Sequence, residues 1–390
     1  MILTIGTILN SVLLLGNNIF GKYLPKSRTT VELLKDLGYS SETHQVQTED
    51  GYLLTLHRIP YQRDSARPYK GPILLGHGVL CSSADWIVNG NQSLGIILAQ
   101  NGYDVWMGNN RGNTYSRRHV SLDPEKNSKE FFAFSYHEMG KYDLPAMVDY
   151  VLKHSNVLKI PYVGFSEGAT QFWVMMSERP QYNDKISMFT AWAPVTDMYM
   201  ITQVIVNYLA RHPIYENLFR ILGIYEIFSH RTVGNTLRLA CRKSESFCNF
   251  LFHLCGQSWE RMPNKILKDK ILENFFAGIS LKQAVHYVQG ARSGVFRPFD
   301  FGHEKNLKIY GKTAPNPYNI SATQIPVVLY YGDSDVFVNI AVMKRELVNV
   351  LKDVKAIELP YTKFNHLDFI YGTNVQYLTD TTLNNIKNIV

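Results

Sequence analysis

Cysteine is scarce, with four in 390 residues. Cys241, Cys248 and Cys255 fall close together and Cys81 stands apart. No pairs of Cys or His stand at short spacing on two separate loops, which removes the usual ligand pattern of a structural zinc site. Three clustered thiols allow one disulfide and one leftover thiol, in any pairing. Dense Lys/Arg runs are missing as well. Net charge is +7, yet the basic clusters are no longer than pairs such as Arg117-Arg118, which argues against a nucleic-acid partner. The scattered positive charge suits general solubility or an anionic lipid interface equally. Internal repeats and low-complexity linkers are absent, so solenoids and tethered arrays are excluded. The first sixteen residues carry no charged side chain. Such a stretch is shorter than the roughly 20 residues a spanning helix needs. It reads as the apolar region of a signal peptide, although the basic residues that normally precede one are missing. Residues 1–21 are therefore expected to be a leader, cut near Gly16 or Gly21. A retained anchor or a buried N-terminal helix are the alternatives.

Apolar side chains, in contrast, are plentiful. Hydrophobic residues make up 45% and aromatics 13%, enough for a large core and too many for a disordered chain. The length permits two domains, but an enzyme of this size is often one core with an insertion. Strand-like segments are expected near 45–48, 53–58, 72–76, 103–107, 160–164 and 187–192, with helices near 91–101, 143–154 and 167–178. This alternation predicts an α/β fold, a mostly parallel sheet with helices on both faces. The alternation stops at about residue 195 and resumes with strands at 325–331 and 355–359. The residues between read as helices, for example Val204 to Leu209 and Phe219 to Ile224. They predict a helical cap over residues 195–310, inserted between a first core part, 28–194, and a second, 311–390.

The most informative stretch is Gly164-Phe165-Ser166-Glu167-Gly168. It lies between the strand-like Lys159 to Val163, which tolerates Pro161, and a segment of helical periodicity from Ala169 to Met176. A G-x-S-x-G between strand and helix is a nucleophile elbow, in which glycines make room for a strained turn that presents the Ser hydroxyl. An activated serine needs a base and a group to orient it, and here they follow in the order acid, then histidine. Ile325 to Tyr331 is a β-rich run ending in Gly332-Asp333-Ser334-Asp335. Both acids are candidates; Asp335 lies where the loop has turned toward the site, whereas Asp333 suits a turn. His366, after the strand-like Val354 to Leu359, stands in the expected part of the chain. An oxyanion needs two backbone donors. Glu167 follows the nucleophile, and Val79 lies in the loop Gly76-His77-Gly78-Val79-Leu80 after an early strand. His77 is expected to shape that loop.

Further segments carry a resemblance. Thr48 to Leu54 with Arg58-Ile59-Pro60, the run from Asn101 to His119, Ala193-Pro194, Tyr318-Asn319-Ile320 and Asn365-His366-Leu367-Asp368-Phe369 are together similar to the gastric and lysosomal acid lipase family of α/β-hydrolases, from about residue 28 to 388. The resemblance implies an α/β-hydrolase fold with Ser166, Asp335 and His366 as triad and the amides of Val79 and Glu167 as oxyanion donors. It also implies that a short-loop disulfide in the insertion is Cys241–Cys248. Two departures stand out. The family usually has His before the serine and Gln after it, where this chain has Phe165 and Glu167. A backbone donor survives either change, but a carboxylate beside the nucleophile is expected to oppose developing negative charge or to raise the working pH. The acid loop reads Gly-Asp-Ser-Asp in place of Gly-Gly-x-Asp.

The expected activity is hydrolysis of neutral lipid esters, triacylglycerol or sterol ester, at a lipid–water interface. It needs no metal or organic cofactor and proceeds through an acyl-enzyme. An acyl chain contributes about 0.8 kcal/mol per buried methylene, so a cap with apolar walls suits it. Phe219, Ile221, Leu222, Ile224, Phe228, Phe275 and Phe276 are expected mostly to form the cap's own core and partly to line the slot. A secreted or lysosomal protein is expected, and the acceptor triplets at Asn91 and Asn319 for N-glycosylation agree. The alternatives are a carboxylesterase for smaller soluble esters and a lipid-binding relative without turnover.

Overall fold

The computed structural model describes residues 27–62, 67–212, 214–229 and 233–387. The expected leader, residues 1–21, lies outside them. The core is an eight-stranded sheet built from β1 (Glu42–Gln47), β2 (Leu53–Ile59), β3 (Pro72–Gly76), β4 (Asp104–Met107), β5 (Ile160–Phe165) and β6 (Ile186–Trp192). After them come β7 (Glu226–Ile227) and β8 (Ile279–Ser280), a separate two-residue ladder, and then β9 (Val327–Tyr331) and β10 (Val354–Glu358), which complete the sheet. The strand order is β1-β2-β4-β3-β5-β6-β9-β10. β2 runs antiparallel to β1 and β4, and every other neighbouring pair is parallel.

Burial explains which residues form which strand. β4, β5 and β9 are buried along their whole length, as central strands of a covered parallel sheet must be, so their sequences are nearly continuous apolar runs. β1 and β10 lie at the two edges and keep exposed positions. Pro161 sits inside β5 because pairing with β6 skips it: the register shifts between Ile160 and Tyr162, where no ladder N–H is demanded. The helices Leu94–Gln100, Leu144–Ser155 and Glu167–Glu178 make the crossovers after β3, β4 and β5. Short loops therefore bring the carboxyl ends of β3, β5, β9 and β10 to one edge, where such sheets place their ligands.

The stretch between β6 and β9 carries the helices Val204–Arg211, Ile214–Ile221, Asn235–Lys243, Glu245–Leu254, Lys265–Leu272, Leu281–Ser293 and His303–Tyr310. A disulfide joins Cys241 to Cys248, leaving Cys81 and Cys255 as free thiols. Arg238 is buried and bonds to Asp269 (Nε to Oδ1, 3.0 Å) and Glu273 (Nη2 to Oε1, 2.9 Å); Arg28 reaches the same Glu273 from the core side at 2.8 Å. Phe275 and Phe276 are buried, but Ile221 is 82% exposed, and Leu222 and Phe228 also face solvent. The expectation that most of these apolar residues form internal core therefore fails for these three. The helix that ends at Ile221 and the turn holding Leu222 lie at the surface, and Phe228 follows the short β7 there. No helix among the described residues is long and apolar enough to cross a membrane.

Candidate active site

The elbow is strained, and its surroundings hold the strain. Ser166 has φ 52° and ψ −110°, a conformation that side-chain-bearing residues rarely adopt. A Cβ on Gly164 would stand 2.7 Å from the Gly168 carbonyl carbon, and one on Gly168 would stand 2.3 Å from the Gly76 carbonyl oxygen. The turn is therefore possible only because its backbone touches itself and β3 directly. The Ser166 N–H donates to the Trp192 carbonyl at 2.9 Å, pinning the elbow to β6.

Ser166, His366 and Asp335 come together at the sheet edge although they are far apart in the chain. Ser166 Oγ lies 2.8 Å from His366 Nε2. Asp335 brackets the other ring nitrogen, with Oδ2 at 2.9 Å and Oδ1 at 3.0 Å from Nδ1. A carboxylate only accepts, so Nδ1 carries the proton and Nε2 accepts from the serine hydroxyl. All three side chains are buried. The Asp335 carboxylate is itself held by the N–H groups of Phe337 (2.8 Å) and Val338 (3.1 Å).

Asp333 does something else. Its two oxygens accept from the N–H groups of Lys363 (2.9 Å) and Phe364 (2.7 Å), so it ties the acid loop to the loop before His366. Asn365 makes a second tie, which sequence reasoning missed. Its Oδ1 accepts from the N–H groups of Val336 (3.1 Å) and His366 (2.8 Å). Asp368 then accepts from the Asn365 N–H at 2.8 Å and from the Ser258 N–H at 3.2 Å, joining the histidine loop to the inserted region. Burial pushes its carboxyl up to about 6.

On the other side of the serine lies the loop after β3. His77 is buried; its Nε2 accepts from the Asn110 N–H at 3.1 Å and its Nδ1 donates to the Gly78 carbonyl at 2.8 Å. Burial lowers it to about 4, so the ring stays neutral and acts as a brace. The run from Asn109 to Ser116 is the frame behind this brace. Arg111 is buried between Asp143 (Nε to Oδ1, 2.7 Å) and Asp50 (2.6 and 2.8 Å), and Asn113 reaches both His77 and Asn109. Leu80, the residue after Val79, accepts from the Ala277 N–H at 2.9 Å, again from the inserted region. The amides of Val79 and Glu167 have no hydrogen-bond partner among the described residues, as expected of the start of a helix and of an open loop.

The residues that depart from the family pattern have clear contacts. Phe165 packs its ring 5.1 Å from that of His366 and against Phe369. Glu167 turns its carboxyl into the inserted region, where it accepts from Gln283 Nε2 and from Tyr287 Oη (3.0 Å), and burial raises it to about 7. The motif shows the carboxyl, but its partners lie more than a hundred residues later and no local signal announces them. A second buried serine–histidine pair, Ser83 and His57 at 2.7 Å, differs from the first: His57 Nδ1 faces Ser83 and, at 3.4 Å, the Asn109 amide, while Ser83 also meets Thr30. Glu42, His44 and His154 form a metal-type cluster away from this edge, but Arg58 Nη1 lies 2.8 Å from Glu42 and 3.3 Å from His154, a cation already in place. Asn91 and Asn319 are both exposed.

Residues 30–90 match the partial α/β-hydrolase lipase region, and residues 71–373 match the α/β hydrolase fold family. The chain is similar to Lipase 1 of Drosophila melanogaster, 38% identical over 354 residues that cover 88% of this chain and 76% of that protein. It is 34% identical to the gastric triacylglycerol lipase of Homo sapiens over 388 residues, 95% of this chain and 94% of the relative. It is also 35% identical to the lysosomal acid lipase/cholesteryl ester hydrolase of Macaca fascicularis over 357 residues, covering 89% and 87%.

Proposed function

The chain belongs to the gastric and lysosomal acid lipase family of α/β-hydrolases, and from that premise we propose that it is a serine lipase acting on neutral lipid esters. The observation that carries this reading is the continuous line from Asp335 to His366 to Ser166, with the ring nitrogens engaged at 2.9 and 2.8 Å. His366 takes the proton of Ser166 as the hydroxyl oxygen attacks the ester carbonyl. The carbonyl oxygen becomes an oxyanion facing the amides of Val79 and Glu167. His366 returns the proton to the departing alcohol, and water then releases the acid from the acyl-enzyme by the same steps. Asp335 holds the imidazole in the tautomer that accepts at Nε2.

Residues 195–310 act as the cap, resting on the core parts 28–194 and 311–390 through Leu80–Ala277 and Asp368–Ser258. The apolar leader, the exposed acceptor sites Asn91 and Asn319 and the disulfide support routing through the secretory pathway, to the outside or the lysosome. Triacylglycerol and sterol ester, the substrates named for the two mammalian relatives, are the substrates to test first. Ser166→Ala is expected to abolish hydrolysis of a short-chain chromogenic ester and labelling by a fluorophosphonate while circular dichroism stays unchanged; surviving turnover would refute the assignment. Faster turnover of emulsified triacylglycerol than of a dissolved short-chain ester distinguishes a lipase from a carboxylesterase with the same triad.

A further inference from the structure

Glu167 stands at two places at once. Its N–H is one of the two amides assigned to the oxyanion, and its side chain leaves the reacting centre altogether. The carboxyl is buried and accepts hydrogen bonds from Gln283 and Tyr287, both on the helix Leu281–Ser293. That helix is well anchored. Ser280 and Gln283 form its capping box, Ser280 Oγ donates to the Phe134 carbonyl, and His286 reaches Ser135 Oγ at 3.0 Å and the Arg297 carbonyl at 2.9 Å. A single side chain thus links the amide beside the nucleophile to a fixed helix of the inserted region.

The groups acting electrostatically on this carboxyl, or it on them, are Tyr287 on that helix, Tyr136, Tyr162 and Cys81 around it, and Asp143. Asp143 is itself paired with Arg111. A carboxylate beside the nucleophile can act on the oxyanion or on the histidine. The Glu167 N–H is itself one of the two amides assigned to the oxyanion, so its own side chain is tied to that group through one residue's backbone. The His366 nitrogens, in contrast, meet Ser166 and Asp335 and no Glu167 oxygen.

We propose that Glu167 is a positioning residue of the reaction: held by Gln283 and Tyr287, its carboxyl locks the oxyanion-binding amide to the helix Leu281–Ser293, and it serves best as the neutral acid, because a carboxylate there opposes the charge growing on the oxyanion. The proposal rests on the serine-hydrolase reading, so the experiment separates the two. Wild-type enzyme is first labelled with a fluorophosphonate; failure to label Ser166 sinks that reading and this one with it. With labelling established, kcat and KM for a soluble nitrophenyl ester are measured at about pH 6 and about pH 8. A group titrating near 7 is roughly nine-tenths ionised at the upper value, so wild-type kcat should fall about tenfold between them. Glu167→Gln, which keeps an acceptor oxygen and cannot ionise, should show a ratio near one. Glu167→Leu, which removes the link, should have kcat about tenfold below Glu167→Gln at both values with little change in KM. Should Glu167→Leu not fold, Tyr287→Phe reads a smaller loss of kcat by removing one of the two hydrogen bonds. Equal pH ratios in wild type and Glu167→Gln overturn the charge effect, and equal kcat in the Gln and Leu variants (or an unchanged kcat in Tyr287→Phe) overturns the positioning.

Discussion

Only Ser334 separates Asp333 from Asp335, and the partners of the two carboxylates differ completely. Asp335 faces the imidazole, whereas Asp333 accepts two backbone amides of the loop that carries it. Asp335→Asn presents an amide to Nδ1 and favours the wrong tautomer, so kcat should fall by roughly 10⁴ with the melting temperature nearly unchanged. Asp333→Ala removes two hydrogen bonds at an exposed carboxylate, at a cost of about 1 kcal/mol, and should lower the melting temperature while reducing kcat far less. Kinetics and thermal melts of the two variants check this; a larger kcat loss in the Asp333 variant would exchange their roles. The chain order alone pointed to this loop, but the choice between two nearby acids needed coordinates. Where the loop bends decides which of the two side chains reaches the ring.

At the scale of elements, Asn109 to Ser116, part of the run from Asn101 to His119 that carries the family resemblance, proves to be framework. It holds Arg111 between two carboxylates and braces His77, which in turn shapes the loop carrying Val79. The inserted helices have their own buried charge cluster, in which Arg238 serves both Asp269 and Glu273. Replacing it by an apolar residue of similar length removes two ion pairs, although Arg28 still covers Glu273 and Arg242 still covers Asp269. Arg238→Met is therefore expected to cost about 1 kcal/mol, below the roughly 3–5 kcal/mol of an uncompensated buried charge, read as a lower urea midpoint at unchanged slope. An unchanged midpoint would mean that the cluster contributes nothing net. Secondary structure in the core was legible to within a few residues because buried parallel strands and amphipathic helices write distinct periods. In the insertion Val204 to Leu209 is helical as expected, but the expected helix from Phe219 to Ile224 stops at Ile221, and which apolar residues the helices bury was not legible. Ile221 and Leu222 have the same composition as core and lie outside it.

For the whole molecule, buried titratable groups oppose one another. Burial raises Glu167 to about 7, Asp85, Asp143 and Asp368 to about 6, and Asp197 above its ordinary value, so these groups favour the fold most when protonated, and the stability they contribute is lost as pH rises through their folded values. Burial also lowers His57 and His77 to about 4, His286 to about 3, and His137 below its ordinary value. Unfolded histidine binds a proton near 6.5, so these histidines make the fold less stable as pH falls from there. The two sets oppose one another and should leave the melting temperature nearly flat between about pH 4.5 and 6.5. Below that, Glu138, which Lys282 and the Ser135 amide help hold at about 2, is protonated with loss of its ion pair, and stability should drop. Calorimetric melts across this range test the plateau; a steep slope within it would show that one set dominates.

The sequence by itself determined the order of strands and helices, the turn that presents Ser166 and the stretches holding the acid and His366. These are local properties, written in periodicity, glycine placement and chain order. Only the tertiary structure decided which acid faces the ring, that Asn365 fastens the two loops together, and that the carboxyl of Glu167 is shared with a helix far along the chain. Those contacts depend on where separate segments come to rest against each other, and no local pattern encodes that distance.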